Sequence, residues 1–223
     1  AKGEVLTRAE TFAGAPRSIE AQARELLSSA RKARPAVTRA LNKVGKARDG
    51  KLIGRQFAVK SEKSLLRKMN ELVKEGRGKV SASNVGAKIS DSLRYTMQFS
   101  KSAYARSTQA ALVDLQAAGY RIQKIKNYWS VDGGYQGLNS VLISPSGKKF
   151  ELQFHTQFSH RVKEANHIRY DKIRVMNDGP ARRILEAESE ALFATVPVPP
   201  GSPGMTWADL GFEELDKGMW KWI

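Results

Sequence analysis

The stretch from residue 134 to 156 constrains the fold more than any other part of the sequence. An apolar run over 138–144 and a second β-type segment over 149–156 are joined by the turn sequence Pro-Ser-Gly. This pattern predicts a β-hairpin. A single hairpin is at best marginally stable in water, so further strands or helices must pack against this one.

The second strand of this hairpin alternates between apolar and polar side chains. Leu152 and Phe154 fall on one face, because side chains point to opposite sides of a strand in turn. The other face carries Glu151, Gln153 and His155. That face is either an ordinary solvated surface or the lining of a polar pocket.

The rest of the chain supplies the partners for this hairpin. Apolar periodicity and capping residues predict helices over 18–31, 35–47, 62–75, 102–118, 158–176 and 180–194. Alternation and β-branched or aromatic residues predict strands over 88–99, 120–129, 138–144 and 149–156, with 51–60 irregular or a short strand. The order predicts an α+β fold in which helices pack on a mixed sheet of about four to five strands.

Composition shifts divide the chain into three parts. Residues 1–50 form a basic helical N-terminal region, 51–195 the main domain, and 196–223 a proline-rich linker followed by a tail. The tail holds three of the four tryptophans, Trp207, Trp220 and Trp222. So much aromatic surface predicts that the tail docks back onto the domain or contacts a partner.

Composition also narrows the chemistry. The 223 residues include no cysteine and three histidines, which excludes thiol catalysis and leaves little scope for a zinc centre. No glycine-rich Walker or Rossmann motif is present. No apolar run approaches the roughly 20 residues of a membrane helix, so no membrane-spanning segment is expected.

The formal charge of +16 is unevenly distributed. Residues 1–88 carry 21 Lys or Arg against 8 Asp or Glu, whereas residues 184–223 carry 2 against 7. A basic front of this size predicts an anionic partner, such as nucleic acid, a nucleoside polyphosphate or an acidic protein. The alternative is that the charge serves solubility or belongs to a basic linker of a larger protein.

Two carboxylates, Asp91 and Glu151, each open an otherwise non-acidic predicted strand. Side by side they would suit Mg²⁺, which takes one or two carboxylates together with substrate phosphates, and either would serve as a general base. Taken singly, each is an ordinary strand-end acid. Lysines and arginines gather at the start of the helix at 62–75, where a helix N-terminus favours phosphate. Tyr135, in its glycine turn, is either a stacking platform for a base or a hairpin aromatic packed on a neighbour.

Four segments in this order resemble the synthetase domain of the RelA/SpoT alarmone enzymes. They are the KSEKSLLRKM string at 60–69, Asp91, the stretch from Lys126 to Gly137, and the ELQFHT string at 151–156. The resemblance spans about residues 51–176. It implies a nucleotidyltransferase-like sheet and transfer of pyrophosphate from ATP, with Mg²⁺, to the 3′-hydroxyl of a purine nucleotide, giving a product of the ppGpp or ppApp type.

The same resemblance implies roles for individual residues. Asp91 and Glu151 would be the catalytic pair and the metal ligands, with Glu151 also a candidate base. ATP and its phosphates would lie against Lys60, Ser64, Arg67, Lys68, Arg94 and Lys126. The acceptor would lie against Tyr135, Asn139, Gln153 and His155.

Three departures from the family pattern bear on specificity. Asn139 stands where the family has histidine, His155 stands where it has arginine, and Arg94 follows Asp91 by three residues where the family arginine follows by five. They leave the acceptor open. RNA, such as a tRNA 3′ end, is an alternative acceptor because of the large positive charge. A non-enzymatic RNA-binding module is a further alternative.

The departures, with the strings at 150–156 and 196–201, are similar to toxin versions of the fold that are carried by polymorphic or phage-delivered proteins. The expected site of action is the cytoplasm of a target bacterium, reached as part of a larger secreted or phage protein. A producing cell needs protection, so an acidic immunity protein is an expected partner. It would bind either the predicted basic cleft lined by Lys60, Arg67 and Lys126 or the basic N-terminal helices.

Overall fold

The structure, a computed structural model, describes residues 17–76, 79–131, 134–216 and 218–222. Its helices are α1 (Ile19–Ala47), α2 (Glu62–Glu75), α3 (Tyr104–Ala117), α4 (Gln157–Ile173) and α5 (Pro180–Ala194). Its strands are β1 (Lys51–Ile53), β2 (Arg94–Phe99), β3 (Arg121–Asn127), β4 (Leu138–Ile143), β5 (Lys149–Thr156), β6 (Phe212–Asp216) and β7 (Met219–Trp222). Short 3₁₀ turns lie at Arg55–Phe57, Val85–Lys88, Tyr128–Ser130 and Ala208–Leu210. The first 16 residues of the predicted basic N-terminal region lie outside the described ranges.

Within those ranges, seven strands form one mixed sheet in the order β1-β2-β5-β4-β3-β7-β6. β2 and β5 run parallel, and every other neighbouring pair is antiparallel. The predicted α+β class and the mixed sheet are confirmed. The strand count exceeds the predicted four to five, because β6 and β7 come from the tail and β1 is only three residues long.

The helices predicted over 18–31 and 35–47 are one helix, α1, with Pro35 in its interior. A proline there costs a backbone hydrogen bond and normally kinks or ends a helix. The apolar stripe nevertheless runs on past it, from Leu27 and Ala30 to Val37 and Leu41, and all four side chains are buried. Pro35 itself faces solvent, so packing on the opposite side holds the helix together.

The strand predicted over 88–99 begins only at Arg94, and its first residues instead form a 3₁₀ turn and an extended segment. The extended segment pairs with the residues that precede α2. The Lys60 amide donates to the Ser92 carbonyl (3.1 Å), and the Arg94 amide donates to the Ala58 carbonyl (2.8 Å). Asp91 is therefore held beside the start of α2 rather than within a strand.

The two faces of the sheet differ in chemistry. Tyr95, Met97, Leu152 and Phe154 are buried in the main core with α1 and α3. The Tyr95 hydroxyl is also hydrogen-bonded to Thr38 of α1 at 2.7 Å. The opposite face carries the polar residues of the same strands.

The tail packs onto the sheet. Trp207 is 1% exposed, and Trp220 of β7 lies opposite Ile125 of β3. The stretch predicted as a stiff linker is also packed. The backbone carbonyl of the buried Ser202 accepts a hydrogen bond from the side-chain amide of Asn127 at 2.8 Å. Of the two outcomes predicted for the tail, docking onto its own domain is the observed one. No helix in the described ranges is both long enough and apolar enough to cross a bilayer.

Candidate active site

Strand register brings five of the predicted site residues onto the polar face of the sheet. In the parallel pair, Arg94 of β2 lies opposite Glu151 of β5. In the antiparallel pairs, Gln153 of β5 lies opposite Asn139 of β4, which in turn lies opposite Lys126 of β3. One row across the sheet therefore joins Gln153, Asn139 and Lys126, and a second row holds Arg94 and Glu151.

Asp91 is the centre of a buried ion cluster at one end of this face. Its carboxylate is 2.7 Å from the Lys60 ammonium and 2.9 Å from the Lys68 ammonium. Burial alone would raise the pKa of the Asp91 carboxyl, but Lys60 and Lys68 outweigh it and hold the pKa below its ordinary value. Asp91 is therefore ionised at neutral pH, and α2, which carries Lys68, is anchored to it.

Glu151 has the opposite electrostatic character. Burial raises the pKa of its carboxyl, and the negative charge of Asp91 raises it further, against the smaller opposing effects of Gln153, Lys68 and Arg94. The Gln153 amide donates to Glu151 Oε1 at 2.6 Å. A neighbouring pair of carboxyls whose pKa values are pushed apart is typical of a site with one permanent anion and one proton acceptor.

The two acids also fit a magnesium site of the type that substrate phosphates complete. In the described part of the chain, no group of three or more His, Asp or Glu side chains is arranged as a metal cage. Mg²⁺ in phosphoryl-transfer sites needs only one or two carboxylates, because substrate oxygens and water provide the other ligands. Asp91 Oδ1 faces the Lys68 ammonium at 2.9 Å and Oδ2 faces the Lys60 ammonium at 2.7 Å, so this carboxylate already binds cations and a Mg²⁺ ion would take the place of one ammonium.

Among the residues predicted to bind an acceptor, a hydrogen-bonded chain fixes Tyr135. Its hydroxyl donates to Asn139 Oδ1 at 2.9 Å and lies 2.7 Å from His155 Nε2. Burial raises the pKa of Tyr135 well above its ordinary value and lowers the pKa of His155 well below its own, so both groups are neutral. The hydroxyl therefore accepts from His155 Nε2–H, and His155 Nδ1 accepts from the Ser159 hydroxyl at 2.9 Å.

Gly137 allows the Tyr135 hydroxyl and the His155 ring to lie close to the backbone at this point. A Cβ atom on Gly137 would lie 2.7 Å from His155 Cε1 and 3.1 Å from the Tyr135 hydroxyl. Only glycine leaves room for both groups at this point of the chain.

The Tyr135 ring packs on neighbouring residues, as in the second of the two alternatives for this tyrosine. The ring is partly buried, and it packs edge-on against Tyr128, His155 and Phe193 with centroids 4.9, 5.3 and 5.9 Å apart. Phe193 belongs to α5, so α5 helps to hold the ring. The stacking role implied for Tyr135 stays a prediction.

The remaining predicted phosphate ligands contact partners other than the two carboxylates. Ser64 is hydrogen-bonded to the α2 cap Ser61 at 2.9 Å. Arg67 pairs with Glu71 at 3.9 Å and with Asp171 of α4 at 3.5 Å, so it links the two helices. Lys126 lies 4.6 Å from the centroid of the Tyr128 ring, a cation–π contact beside Tyr135.

Lys163 of α4 is a site residue that the sequence reasoning did not identify. Its ammonium carries one of the charges that shift the pKa of His155, and it is in turn affected by Arg94 and Glu151. Helical periodicity could have predicted it, because Lys163 follows Ser159 by one turn and therefore falls on the same helix face. The other two histidines, His160 and His167 of α4, lie beside acids of the same helix, 3.6 Å from Glu164 and 3.2 Å from Asp171 respectively.

A cavity of about 210 Å³ opens between α2 and α4, next to Lys68. Lys68, Leu72, Tyr170 and Arg174 line it together with two glutamates of α2, one of which, Glu71, is ion-paired with Arg174. The cavity is therefore bounded by α2 and by the C-terminal end of α4.

Sequence comparison finds no matching family model and no matching curated protein. Solved structures do match. Small alarmone synthetase 1 from Bacillus subtilis, bound to its product pppGpp, has a TM-score of 0.54 at 15% identity, over 77% of this chain and 91% of that chain. Small alarmone synthetase 2 from the same organism has a TM-score of 0.53 at 18% identity, over 75% and 90%. A GTP pyrophosphokinase family protein from Streptococcus pneumoniae has a TM-score of 0.50 at 14% identity, over 77% and 87%.

At such low identities the agreement concerns the fold, and it covers nearly the whole of each solved chain. It confirms the resemblance that the four sequence segments suggested. The chain has the RelA/SpoT-type fold of the alarmone synthetases.

Proposed function

We propose that this protein is a Mg²⁺-dependent pyrophosphokinase that transfers the β,γ-pyrophosphoryl group of ATP to the 3′-hydroxyl of a purine nucleotide. The observation that carries the proposal is the pair Asp91 and Glu151. They sit within electrostatic range of each other, with pKa shifts of opposite sign and with Lys60 and Lys68 held at Asp91. The fold shared with solved pyrophosphokinases supports it.

In the proposed reaction, the acceptor oxygen forms a bond to the β-phosphorus of ATP. The bond between the β-phosphorus and the oxygen that bridges it to the α-phosphate breaks, and AMP leaves with that oxygen. Glu151 takes the hydroxyl proton, a role suited to its raised pKa. Lys60, Lys68 and Arg94 neutralise phosphate charge, and Mg²⁺, when bound by Asp91 and Glu151, would add further charge stabilisation.

The acceptor side depends on orientation rather than charge. The chain Asn139–Tyr135–His155–Ser159 is neutral and hydrogen-bonded throughout. It holds the Tyr135 ring in one orientation beside Gln153 and Asn139, which could contact an acceptor. Such pre-organisation lowers the entropic cost of positioning the reacting hydroxyl.

The first test compares wild type with Glu151→Gln in a reaction with ATP labelled separately at the β and γ positions. Pyrophosphoryl transfer moves both labels to the acceptor and releases AMP. We expect Glu151→Gln to lose at least about 100-fold in rate, because a positioned general base contributes roughly 10²–10⁴. The matched control is Glu190→Gln, an exposed acid of α5.

Three results would contradict the proposal. Transfer of the γ label alone would indicate an ordinary kinase. Glu151→Gln activity equal to that of Glu190→Gln would remove the catalytic role of Glu151. The absence of nucleotide turnover, together with salt-sensitive RNA binding, would favour the non-enzymatic RNA-binding alternative.

RNA as acceptor is tested in the same assay, with total tRNA in place of free nucleotides. The large positive charge of the chain favours RNA, but part of that charge lies away from the carboxylates. A basic cavity of about 600 Å³, lined by Arg31, Arg34 and Arg55, adjoins α1, whose following turns pack on the apolar face of the sheet. We therefore expect label in free nucleotides rather than in tRNA.

Toxicity, delivery and an acidic immunity protein remain parts of the proposal. Toxicity is tested by expressing wild type and Glu151→Gln inside a bacterium and measuring ATP and nucleotide products over time. We expect ATP loss and growth arrest with wild type only. Arrest by both proteins would separate toxicity from synthesis.

A further inference from the structure

The position of α4 gives one of its lysines a place over the reacting groups. α4 starts at Gln157, directly after β5, and packs against β5 and β2. Its first turn is fixed there, because the Ser159 hydroxyl is hydrogen-bonded to His155 Nδ1 at 2.9 Å. Lys163 is one turn farther along on the same side.

Helix and strand geometry then fix which strand residues Lys163 faces. Four helical residues advance about 6 Å, and two strand residues about 6.6 Å. For a helix that runs back along β5 from Ser159, these advances place Lys163 near the level of Gln153, with Glu151 next along the strand. The charge interactions agree, since the Lys163 ammonium interacts with Glu151, Arg94 and His155.

The charge of Lys163 is also less neutralised than that of Lys60 and Lys68. Lys60 and Lys68 both pair with the buried Asp91. The side chain of Lys163 is 26% exposed, and its ion pair is a 3.5 Å contact with Glu164, which is 55% exposed. Burial lowers the pKa of the Lys163 ammonium, so an anion bound here would restore a charge that the fold disfavours.

We propose that Lys163 binds the pyrophosphoryl group between donor and acceptor, above Gln153 and Glu151. This inference rests on the proposed function. Asp91 with its two lysines lies on one side, and the Tyr135–His155 pair lies on the other. A lysine ammonium is a compact cation suited to phosphate oxygens, and α4 brings it there from outside the sheet.

A binding measurement tests this site without any catalysis. Inorganic pyrophosphate is titrated calorimetrically into wild type, Lys163→Met and Lys172→Met, with and without Mg²⁺. Lys172 is an exposed lysine of the same helix and serves as the control. We expect Lys163→Met to bind at least about tenfold more weakly, the size of one charged hydrogen bond, and Lys172→Met to bind as wild type does.

Kinetics supply the second measurement. For Lys163→Met we expect kcat to fall about 10²–10³-fold while KM for ATP changes only a few-fold. The reason is that the contact between the Lys163 ammonium and the pyrophosphoryl group becomes stronger as negative charge develops in the transition state. Lys163→Arg should recover part of the rate. Thermal melting of Lys163→Met at or above the wild-type temperature would exclude unfolding as the cause.

The two hypotheses fail differently. If pyrophosphate binding depends on Lys163 but no pyrophosphoryl transfer occurs, the proposed function is wrong and the binding site stands. If wild type does not bind pyrophosphate, or if Lys163→Met binds it and turns over ATP like Lys172→Met, the Lys163 assignment is overturned.

Discussion

At the scale of single residues, the two carboxylates have opposite effects on stability. The pKa of Asp91 is lowered in the folded state, so its stabilising contribution is present above the ordinary aspartate pKa and is lost as pH falls through the lowered value. The pKa of Glu151 is raised, so its contribution is present below the ordinary glutamate pKa and is lost as pH rises through the raised value. At neutral pH Asp91 stabilises the fold, whereas ionising Glu151 costs stability because folding raises its pKa.

This difference predicts opposite mutational effects at pH 7. Asp91→Asn leaves two partly buried lysines unpaired and should cost about 3–5 kcal/mol, whereas Glu151→Gln should be neutral or stabilising. Urea unfolding of both variants measures this, with Glu190→Gln as control. A loss in Glu151→Gln equal to that in Asp91→Asn would contradict it. Glu151→Gln is therefore the cleaner test of catalysis, because Asp91→Asn also alters the fold.

At the scale of elements, α1 shows that packing can override a local signal. Pro35 interrupts the helical hydrogen bonds at an exposed position, while the buried stripe on the other side continues from Ala30 through Val37. The sequence therefore reads as two helices although the core requires one. The penalty of the proline remains in the folded protein.

Replacing this proline should raise stability. Proline is about 3 kcal/mol less favourable than alanine inside a helix, and part of that is offset because proline also restricts the unfolded chain. We expect Pro35→Ala to raise the free energy of unfolding by about 1–3 kcal/mol in urea titration. Ala36→Gly, at the next exposed position, should lower it by about 1 kcal/mol. No change in Pro35→Ala would mean that α1 is bent there to avoid the cost.

At the scale of the whole molecule, the tail is part of the domain. β7 extends the sheet beside β3, and Trp207 lies in the same buried cluster as Trp129 of the 3₁₀ turn that follows β3. Phe193 and Val196, which lead into the tail, belong to that cluster as well. The Tyr135 pocket and the tail thus share one core.

Shortening a buried side chain of the tail should therefore destabilise the whole domain. Trp207→Ala should cost about 3–5 kcal/mol, because the side chain is 1% exposed. Leu215→Ala on β6, where the side chain is 57% exposed, should change stability by less than about 0.5 kcal/mol. Guanidinium unfolding with tryptophan fluorescence measures both. A Trp207→Ala protein as stable as Leu215→Ala would mean that the tail is an appendage.

The sequence by itself determined the elements whose signals are local. The bounds of α2, α5 and β5 agree with their predictions, since caps, apolar periodicity and strict alternation lie within each segment. The same alternation put Glu151, Gln153 and His155 on one side of β5. Local signals also identified Asp91 and Lys60 as candidates, through the types and spacing of the residues around them.

Only the tertiary structure decided what depends on contacts between distant segments. The Asp91–Lys60–Lys68 cluster depends on the pairing of the segment before β2 with the segment before α2. The periodicity of the sequence does not predict that pairing. The packed state of Tyr135 needs α5, and the place of Lys163 needs α4 packed against β5. Burial and electrostatic coupling are properties of the assembled core, so the pKa values of the two carboxylates could not be read from the chain alone.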